Sequence, residues 1–592
     1  MGALVIDRRA LCIFALILFV GCGGYGENGG LEEVVAQRGH PGAVKVPGFI
    51  VVDFVDGTSE SELEAWQEKW GVNLEFNSKV GHKSGVAVAQ FDGDKWSLID
   101  RVRGYSNVEA AEPLYLYEHA WQPNDPSWHH QWNMKKVGAA AAWERSTGRG
   151  VVVAVIDTGI AYADHEGFRQ VEDLVGARIV PGWDFVNGRR LALDDHGHGT
   201  HVAGTIAQRT NNRIGVAGLA HNSSLMPIKV LSASGTGTSA DIADAIRFAT
   251  DNGAHVINLS LGGRVPSGVI ARAVAHARRK GVLVVAAAGN SGRRGVSYPA
   301  AFPGVMAVSA TRFDDALAFY SSYGPQVVLA APGGDMTVDQ SGDGKPDGIL
   351  QNTIARGNPG RDVYERYQGT SMATPHVAAS AALVMSIGFT EPLAVKRVLF
   401  DTARPGSGQT KRDERYGHGV VDAGAAVFRA WRELVVGRAS WLMGFVVLLA
   451  LVFRRRLPPL RLTPAFFGLA LLTGVGLFFL PWLLPRFEGR ELLTLPWMEW
   501  GLLVFGPGRH ANPLTWSAII PLALSVPLFM WRRARSALAG ISIGAASFLF
   551  HASFSDHASL LWLPGPLGTA WLVGNGALAF LLAFALTRKE AR

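Results

Sequence analysis

The stretch Val151-Val152-Val153-Ala154-Val155-Ile156-Asp157-Thr158-Gly159 decides the fold. Its apolar residues are mostly β-branched and do not alternate with polar ones, which is typical of a strand buried on both faces of a parallel sheet. An aspartate then ends the strand and a glycine begins a turn. Open α/β sheets place ligands and catalytic groups at this carboxyl end. Alone, such an aspartate is as often structural as functional.

Four more apolar runs repeat this pattern, and helical stretches separate them. The runs are residues 225–231, 256–261, 282–288 and 305–308, and the helical stretches are residues 240–250, 269–279 and 374–386. Buried strands that alternate with helices of about ten to fifteen residues predict a parallel sheet. We therefore expect a three-layer α/β domain with right-handed crossovers over residues 123–430.

A histidine-rich stretch follows the first strand. It reads Asp194-Asp195-His196-Gly197-His198-Gly199-Thr200-His201-Val202-Ala203-Gly204-Thr205, and its small residues predict a helix that packs closely on the sheet. A metal site is the competing interpretation of these histidines. Glycines separate the acidic neighbours and no cysteine accompanies them, which argues against a metal.

Two further motifs place polar residues at the start of a predicted helix and at the end of a predicted buried strand. The first reads Gly369-Thr370-Ser371-Met372-Ala373-Thr374-Pro375-His376-Val377-Ala378 and predicts a helix that begins near Ser371, with Pro375 in its first turn. Free N–H groups at such a helix start favour a developing anion. The second reads Ala286-Ala287-Ala288-Gly289-Asn290 and ends another buried strand. Asn290 could also be a simple turn residue.

Together these motifs resemble those of subtilisin-like serine proteases, the subtilase family. The order Asp, His, Ser along the chain is the order found in subtilisin. The resemblance implies that Asp157, His198 and Ser371 form a catalytic triad and that Asn290 donates to the oxyanion. His201 then has a structural role. An endopeptidase that hydrolyses proteins or peptides through an acyl-enzyme, without a metal or cofactor for catalysis, is expected.

The same resemblance implies a substrate-binding pocket. Six residues would line it, namely Ser260, Leu261, Gly262, Ala288, Gly289 and Ser297. The first three would pair with the substrate backbone as an added strand, and the next two would form the opposite wall. Because Ser297 at the floor is small and uncharged, we expect a bulky apolar side chain before the scissile bond.

Two loops are candidates for structural calcium. The first resembles the calcium loop of the family, with Asp173, the Asn212 side chain, the carbonyls of Ile214 and Val216, and Gln131 as ligands. The second copies five positions of an EF-hand loop with Asp339, Ser341, Asp343, Gly344 and Asp347. Its twelfth position is Leu350 instead of glutamate, so a solvated acidic loop is the alternative there.

The N-terminal residues predict export. Two arginines precede an apolar run, residues 10–20, that is too short to span a bilayer but fits a signal peptide. Residues 1–22 end in a sequence that resembles a bacterial lipobox, although Phe19 departs from the usual pattern. Cleavage there would remove Cys12 and leave Cys22 to be acylated. The alternative is an ordinary signal peptide in which Cys22 is not acylated.

Between this segment and the protease-like domain lies a small predicted domain. Residues 23–45 are rich in glycine and form a linker, and residues 46–120 follow the order β-α-β-β-α-β of an α+β ferredoxin-like domain. Such a domain upstream of the protease resembles the family's propeptide, which acts as chaperone and inhibitor. We place its cleavage between Glu118 and Pro126. An unrelated small binding domain is the alternative.

The composition changes after residue 429. Apolar stretches of membrane-spanning length lie at residues 435–453, 462–484, 513–531, 536–554 and 567–586. Arginine clusters fall in the loops 454–461 and 532–535 and in the tail 587–592, which the positive-inside rule places in the cytoplasm. These stretches predict about five transmembrane helices in a bacterial cell membrane, with the catalytic domain on the extracytoplasmic side and the lipid bilayer as partner.

The charge distribution and the polar residues near the C-terminus argue against nucleic-acid binding and against a metal site in the membrane part. A net charge of +7 is compatible with nucleic-acid binding, but no basic stripe is interleaved with aromatic residues, and many arginines flank the apolar segments. His551, Asp556 and His557 could hold a metal, yet interface polar residues are the better interpretation. A membrane sensor whose protease fold only binds peptides remains the alternative function; the presence of every catalytic residue argues against it.

Overall fold

The structure is a computed structural model, and it describes residues 44–78, 81–91, 95–116, 122–456, 463–478, 493–501, 513–528, 531, 534–556, 560, 563 and 565–587. The chain divides into two compact units, one of residues 23–120 and one of residues 1–22 and 121–592. The predicted signal peptide, the acylation of Cys22 and the predicted linker up to residue 43 lie outside the described residues.

The smaller unit is a four-stranded antiparallel sheet with helices in its crossovers. Its elements are β1 (Val44–Phe54), α1 (Glu60–Trp70), β2 (Asn73–Phe76), α2 (Gly81–Ser84), β3 (Val86–Gln90), α3 (Lys95–Val102) and β4 (Val108–Leu116). The strand order is β2-β3-β1-β4. Ser59 begins α1 with a capping box, because its hydroxyl accepts from the Glu62 amide and Glu62 bonds back. β1 begins two residues before the predicted domain boundary.

The larger unit is built on an eight-stranded parallel sheet. Its strands are β5 (Val152–Asp157), β6 (Arg178–Ile179), β7 (Trp183–Asp184), β8 (Ser224–Lys229), β9 (Val256–Leu259), β10 (Leu283–Ala287), β11 (Met306–Thr311) and β12 (Val327–Pro332). Their order is β12-β11-β10-β9-β5-β8-β6, and β7 also pairs with β8. Each predicted apolar run falls on one of these strands, so the parallel sheet predicted from the sequence is confirmed.

Helices cover both faces of this sheet. They are α4 (Trp132–Lys136), α5 (Ala139–Trp143), α6 (His198–Ala207), α7 (Ser239–Asp251), α8 (Gly268–Arg279), α9 (Thr370–Met385) and α10 (Pro392–Asp401). Alternate residues of β5 enter two different cores: Val153 and Val155 pack with α6 and α9, whereas Ala154 and Ile156 pack with α7 and α8. Burial on both faces explains why β5 has no polar alternation.

A hairpin that the sequence analysis did not predict stands beside the sheet. It consists of β13 (Ile349–Ala355) and β14 (Asn358–Tyr367), which pair in antiparallel fashion, and it leads directly into α9. The Thr353 hydroxyl donates to the Gly197 carbonyl over 2.6 Å, at the residue before α6. The hairpin therefore supports the starts of both α6 and α9.

The C-terminal part is helical. It contains α11 (Ala423–Arg456), α12 (Pro464–Gly474), α13 (Ile519–Leu528), α14 (Arg535–Phe554) and α15 (Pro566–Thr587). Within the described residues, three helices are long and apolar enough to cross a membrane, in α11, α14 and α15. The predicted spans 462–484 and 513–531 contain the shorter apolar helices α12 and α13 there. α11 passes through residues 430–435, where the composition predicts the change from the catalytic domain to the transmembrane region.

Candidate active site

A short hydrogen bond joins the side chains of Asp157 and His198. The Asp157 carboxylate lies fully buried at the carboxyl end of β5, and His198 begins α6 with its side chain 22% exposed. His198 Nδ1 donates to Asp157 Oδ1 over 2.7 Å. This bond fixes the tautomer of the imidazole and leaves its Nε2 without a proton when the ring is neutral. β5 and α6 thus bring together two residues that lie 41 positions apart.

A buried polar network holds this pair in position. Asp194 accepts hydrogen bonds from the Thr158 hydroxyl and from the amides of His196 and Gly197. The Thr158 hydroxyl in turn accepts from the Gly199 amide over 2.8 Å. Asp194 belongs to the histidine motif, although the motif by itself predicts no role for it. Its position just before a helix was the available signal, since aspartate often binds the free amides of a helix start.

Ser371 lies in the first turn of α9, and a proline shapes its surroundings. α9 begins at Thr370, so Pro375 lies inside the helix, one turn beyond the predicted position. Proline has no N–H, which leaves the carbonyl four residues earlier, that of Ser371, without its helical partner. The Ser260 hydroxyl fills this role by donating to the Ser371 carbonyl over 2.8 Å. The Ser371 hydroxyl donates to the Ser260 carbonyl over 3.0 Å.

Asn290 is held beside the start of α9. Its Oδ1 accepts from both the amide and the hydroxyl of Thr370, each over 2.9 Å. Both contacts use the oxygen, so neither occupies the Nδ2 amino group. This group lies next to Gly369, where an added Cβ would be 3.4 Å from Nδ2. Gly369 has φ of +150°, where side chains are disfavoured. The structure therefore brings Asn290 and Ser371 to the same helix end.

The six predicted pocket residues lie on three neighbouring segments. Ser297 donates its amide to the Ala288 carbonyl over 2.9 Å. A Cβ at Gly262 would lie 3.0 Å from the Ser297 Cβ, and one at Gly289 would lie 2.4 Å from the Ser297 Oγ. Glycine is favoured at position 289 by this close approach and by its φ of +108°, whereas a side chain at position 262 would require Ser297 to shift by a few tenths of an ångström. The structure brings the segments 260–262 and 288–289 together around Ser297.

Two other histidines of the motifs are buried in the framework. His201 stacks on Tyr367 with ring centroids 4.2 Å apart and donates from Nε2 to the Ile349 carbonyl. Burial lowers the pKa of His201 to about 3. Burial also lowers the pKa of His376 to about 4, and its Nε2 accepts from Asn133. Both rings stay neutral and serve as packing and hydrogen-bonding groups.

The first predicted calcium loop gathers two buried carboxylates. Asp173 accepts from the Asn212 side chain over 2.8 Å and from the Val216 amide over 2.7 Å. Asp125, which the sequence analysis missed, accepts from the amides of Asn211 and Asn212. Burial raises the pKa of Asp173 to about 7, and the charge of Asp125 adds to this rise. Gln131 instead bonds the backbone of Ala217 in both directions.

The EF-hand-like loop is occupied by its own contacts. Asp343 accepts from His130 and Arg366, and Asp339 accepts from the amides of Gly342 and Gly344 and weakly from the Ser341 hydroxyl. Asp347 is buried and accepts from the amides of Gln340 and Ser341. A strand, not a helix, follows this loop. Among the described residues, no group of three or more His, Cys, Asp or Glu could hold a metal; His557 lies outside them.

Comparisons with known proteins agree with this fold. A profile of the subtilase family matches residues 148–419. The thermophilic serine proteinase of Bacillus sp. (strain AK1) is 37% identical over 352 residues, which cover 59% of this chain and 80% of that protein. Thermitase of Thermoactinomyces vulgaris is 39% identical, with 45% and 87% of the two chains covered. Subtilisin Savinase of Lederbergia lenta is 42% identical, with 50% and 97% covered.

The fold and these relatives define the molecule as a serine endopeptidase. The chain belongs to the subtilase family. Its larger unit has the subtilisin-like α/β fold with a parallel sheet, as the sequence predicted. The alternative of a protein whose protease fold only binds peptides is not supported.

Proposed function

We propose that the chain is an exported, membrane-anchored endopeptidase that uses Asp157, His198 and Ser371 as its triad. The observation that carries this proposal is the 2.7 Å hydrogen bond from His198 Nδ1 to the buried Asp157 carboxylate. A buried carboxylate with this partner holds the imidazole in the tautomer whose Nε2 accepts a proton. Ser371, at the free N-terminus of α9, supplies the nucleophile.

Each residue of the site has one task in the proposed mechanism. The Ser371 hydroxyl turns from the Ser260 carbonyl towards His198 Nε2, loses its proton to that nitrogen and attacks the peptide carbonyl. The Asn290 Nδ2 and the Ser371 amide donate to the oxygen that becomes negative. His198 then protonates the leaving amine, and water hydrolyses the acyl-enzyme with His198 again as base. Asp157 stabilises the imidazolium throughout.

The pKa of His198 predicts the acid limb of the pH profile. Burial lowers this pKa, but the charge of Asp157 and their hydrogen bond raise it above the ordinary value of about 6.5. The base must be neutral to accept a proton, so kcat/KM rises with pH through this pKa. We expect the midpoint of the acid limb above pH 6.5, measured with a peptide substrate under kcat/KM conditions.

Asp157→Asn tests the cause of that shift. It removes the charge that raises the His198 pKa, while burial still lowers that pKa. The midpoint of the acid limb therefore moves to lower pH, and kcat falls by about 10⁴. Asp244→Asn on the exposed face of α7 is the matched control and should leave both unchanged. An acid limb that stays in place in Asp157→Asn would show that another group titrates.

The pocket supports a preference for a bulky apolar side chain before the scissile bond. Ser260, Leu261 and Gly262 would pair with the substrate strand, and Ala288 and Gly289 would form the other wall. Ser297 offers no charge at the floor. A peptide library in which arginine or glutamate is favoured at that position would refute the preference.

Residues 46–120 support the role of an inhibitory propeptide. The order β2-β3-β1-β4 with antiparallel neighbours is the arrangement of a ferredoxin-like domain, and the domain precedes the protease along the chain. Removal between Glu118 and Pro126 would free the enzyme. N-terminal sequencing of the mature chain identifies the cleavage position.

We also propose a structural calcium ion at the loop of Asp173. Burial and the charge of Asp125 make ionisation of Asp173 unfavourable, and a divalent cation with oxygen ligands would relieve that cost. The ligands would be Asp173, Asp125, the Asn212 side chain and the carbonyls of Ile214 and Val216. The contacts of Asp343 with Arg366 and His130 leave the EF-hand-like loop as a weaker candidate.

Calcium is therefore expected to stabilise the protease domain. At a concentration about 100 times Kd, it should add about 2.7 kcal/mol and raise Tm by about 5 °C, measured by calorimetry on the Ser371→Ala chain to prevent self-digestion. Asp173→Asn should lose this rise, whereas the surface variant Asp244→Asn should keep it. A rise of the same size in both variants would place the ion elsewhere.

The C-terminal helices support anchoring. In the described part of the chain, three of them are long and apolar enough to cross a bilayer, and with the two shorter apolar helices they fit a multi-pass segment. The positive-inside rule predicts that the catalytic domain lies on the extracytoplasmic side and the C-terminus in the cytoplasm. Flotation with lipid vesicles tests the anchoring, and mass analysis of the mature chain tests acylation at Cys22.

A further inference from the structure

The protease core and the apolar helices share one uninterrupted helix. α11 has 34 residues and is helical throughout. Ala426, Ala430 and Leu434 belong to the core of the protease domain, whereas Val435 and Leu442 belong to the core formed with α12 and α14. The change from one core to the other thus occurs within a single helical turn. A helix that is packed on both sides of such a point does not bend there as a linker would.

Ion pairs reinforce this junction. Arg438 on α11 pairs with Glu499 over 2.5 Å, and both side chains are buried, with 6% and 1% exposed. Arg397 on α10 of the protease domain pairs with Glu433 on α11 over 3.2 Å and with Asp556 after α14 over 3.1 Å. Separating Arg438 from Glu499 would leave two buried charges unpaired, which is strongly unfavourable. Arg397 with Asp556 therefore joins the protease domain to the end of α14, and the buried pair of Arg438 with Glu499 fixes α11 among the apolar segments.

The helix that carries Ser371 ends at the same junction. Ser371 lies in the first turn of α9, and three residues after its last residue, Gly388 meets Glu499. A Cβ at Gly388 would lie only 2.9 Å from Glu499 Oε1. The 16 residues of α9, at about 1.5 Å per residue, span about 24 Å. One rigid element therefore sets the separation between the nucleophile and the apolar helices.

We propose that this enzyme cuts membrane-tethered polypeptides at a fixed height above the bilayer. With α9 along the membrane normal, its substrates carry an extended segment of about seven or more residues between the membrane and the scissile bond, because each extended residue covers about 3.4 Å. A protease on a flexible linker could lower its cleft to the bilayer and cut close to it. The continuous α11 and its ion pairs prevent this movement. The inference rests on the proposed membrane anchoring and on the activity of the triad.

A series of tethered peptides tests the inference. The full chain is reconstituted in phosphatidylcholine vesicles with a single-span peptide whose fluorogenic cleavage sequence is separated from the span by 3, 7, 12 or 20 Gly-Ser residues. We expect the initial rate to fall at least tenfold between the longest and the shortest spacer, with the step near seven residues. A fall of less than tenfold, or a step in the opposite direction, overturns the inference.

Two controls separate this inference from the proposed function. The same four peptides without the span are added in solution and should be cut at equal rates, which reports catalysis apart from tethering. Flotation of the vesicles reports anchoring apart from catalysis. Loss of soluble cleavage would contradict the triad, and loss of flotation would contradict the membrane anchor. If the rate does not depend on spacer length while soluble cleavage and flotation are both normal, only the fixed height is contradicted.

Hydrogen exchange gives an independent measurement of the junction. If α11 is rigid, the amides of residues 432–438 exchange as slowly as those of residues 424–430 in the vesicle-bound enzyme. Exchange at least tenfold faster at 432–438 than at 424–430 would reveal a hinge and overturn the inference. Exchange within tenfold supports it.

Discussion

Replacement of Ser371 by alanine is expected to lower kcat by about 10⁶, the size of the loss known for the equivalent change in subtilisin. Alanine removes the Oγ that forms the acyl-enzyme and leaves the start of α9 in place. Two readouts follow from the same variant: hydrolysis of a casein-like substrate stops, and residues 46–120 stay attached to the purified chain. Gel analysis and a progress-curve assay measure both.

The matched control for this variant is Ser239→Ala. Ser239 is an exposed serine at the first position of α7, so its replacement removes a hydroxyl near a helix start without touching the active site. Activity and processing should match those of the unmodified chain. Processing of the propeptide in Ser371→Ala at the normal rate would contradict the assignment, unless a second protease is present in the preparation. Expression in a purified cell-free system removes that second source.

Replacement of Asn290 by aspartate is expected to lower kcat by at least about 10², which corresponds to about 2.7 kcal/mol of transition-state stabilisation. Aspartate keeps the oxygen that accepts from Thr370 and replaces the Nδ2 donor by a second acceptor. The donor matters only when the carbonyl oxygen becomes negative, so KM should change by less than about threefold. Steady-state kinetics on a peptide substrate measure both constants.

Asn252→Ala provides the control for the oxyanion experiment. Asn252 ends α7 on the surface, and its side chain bonds only the carbonyl of its own helix among the contacts described. Its replacement should leave kcat and KM unchanged. A rise in KM with normal kcat in Asn290→Asp would show that this residue binds ground-state substrate instead of the oxyanion.

The fold was accessible from the sequence because burial leaves a simple pattern. β5 is covered on both faces, and its six residues are all buried, so it reads as one apolar run. The same reasoning identified β8, β9, β10 and β11. The edge strands β6 and β7 have two residues each and carry too little pattern to be detected. The hairpin of β13 and β14 also escaped prediction, because β14 is partly exposed and rich in charged residues.

The site was accessible only where a motif names its residues. Asp157, His198, Ser371 and Asn290 lie in motifs, and the structure places them at the ends of β5 and β10 and the starts of α6 and α9. Asp194 had a local signal in its position just before a helix. The supporting roles of Thr370 and Ser260 were not predictable, since both act through contacts between residues far apart in the chain. Asp125 was missed for the same reason: it meets Asp173 only after folding.

The change in composition near residue 430 does not coincide with a break in the helix. Hydropathy rises at this point because the chain leaves the core of the protease domain and packs among apolar helices. The backbone does not change, and α11 continues through residues 423–456. Hydropathy reports what surrounds a segment, whereas helix continuity depends on local hydrogen bonds and packing. The fixed-height inference could therefore come only from the structure.

The most direct test of the central claim is active-site labelling with diisopropyl fluorophosphate followed by peptide mass spectrometry. We predict one adduct per mature chain, on Ser371, and a labelling rate that falls steeply in His198→Ala because the base is lost. A label on another serine, or labelling of Ser371 at an unchanged rate in His198→Ala, would contradict the proposed triad.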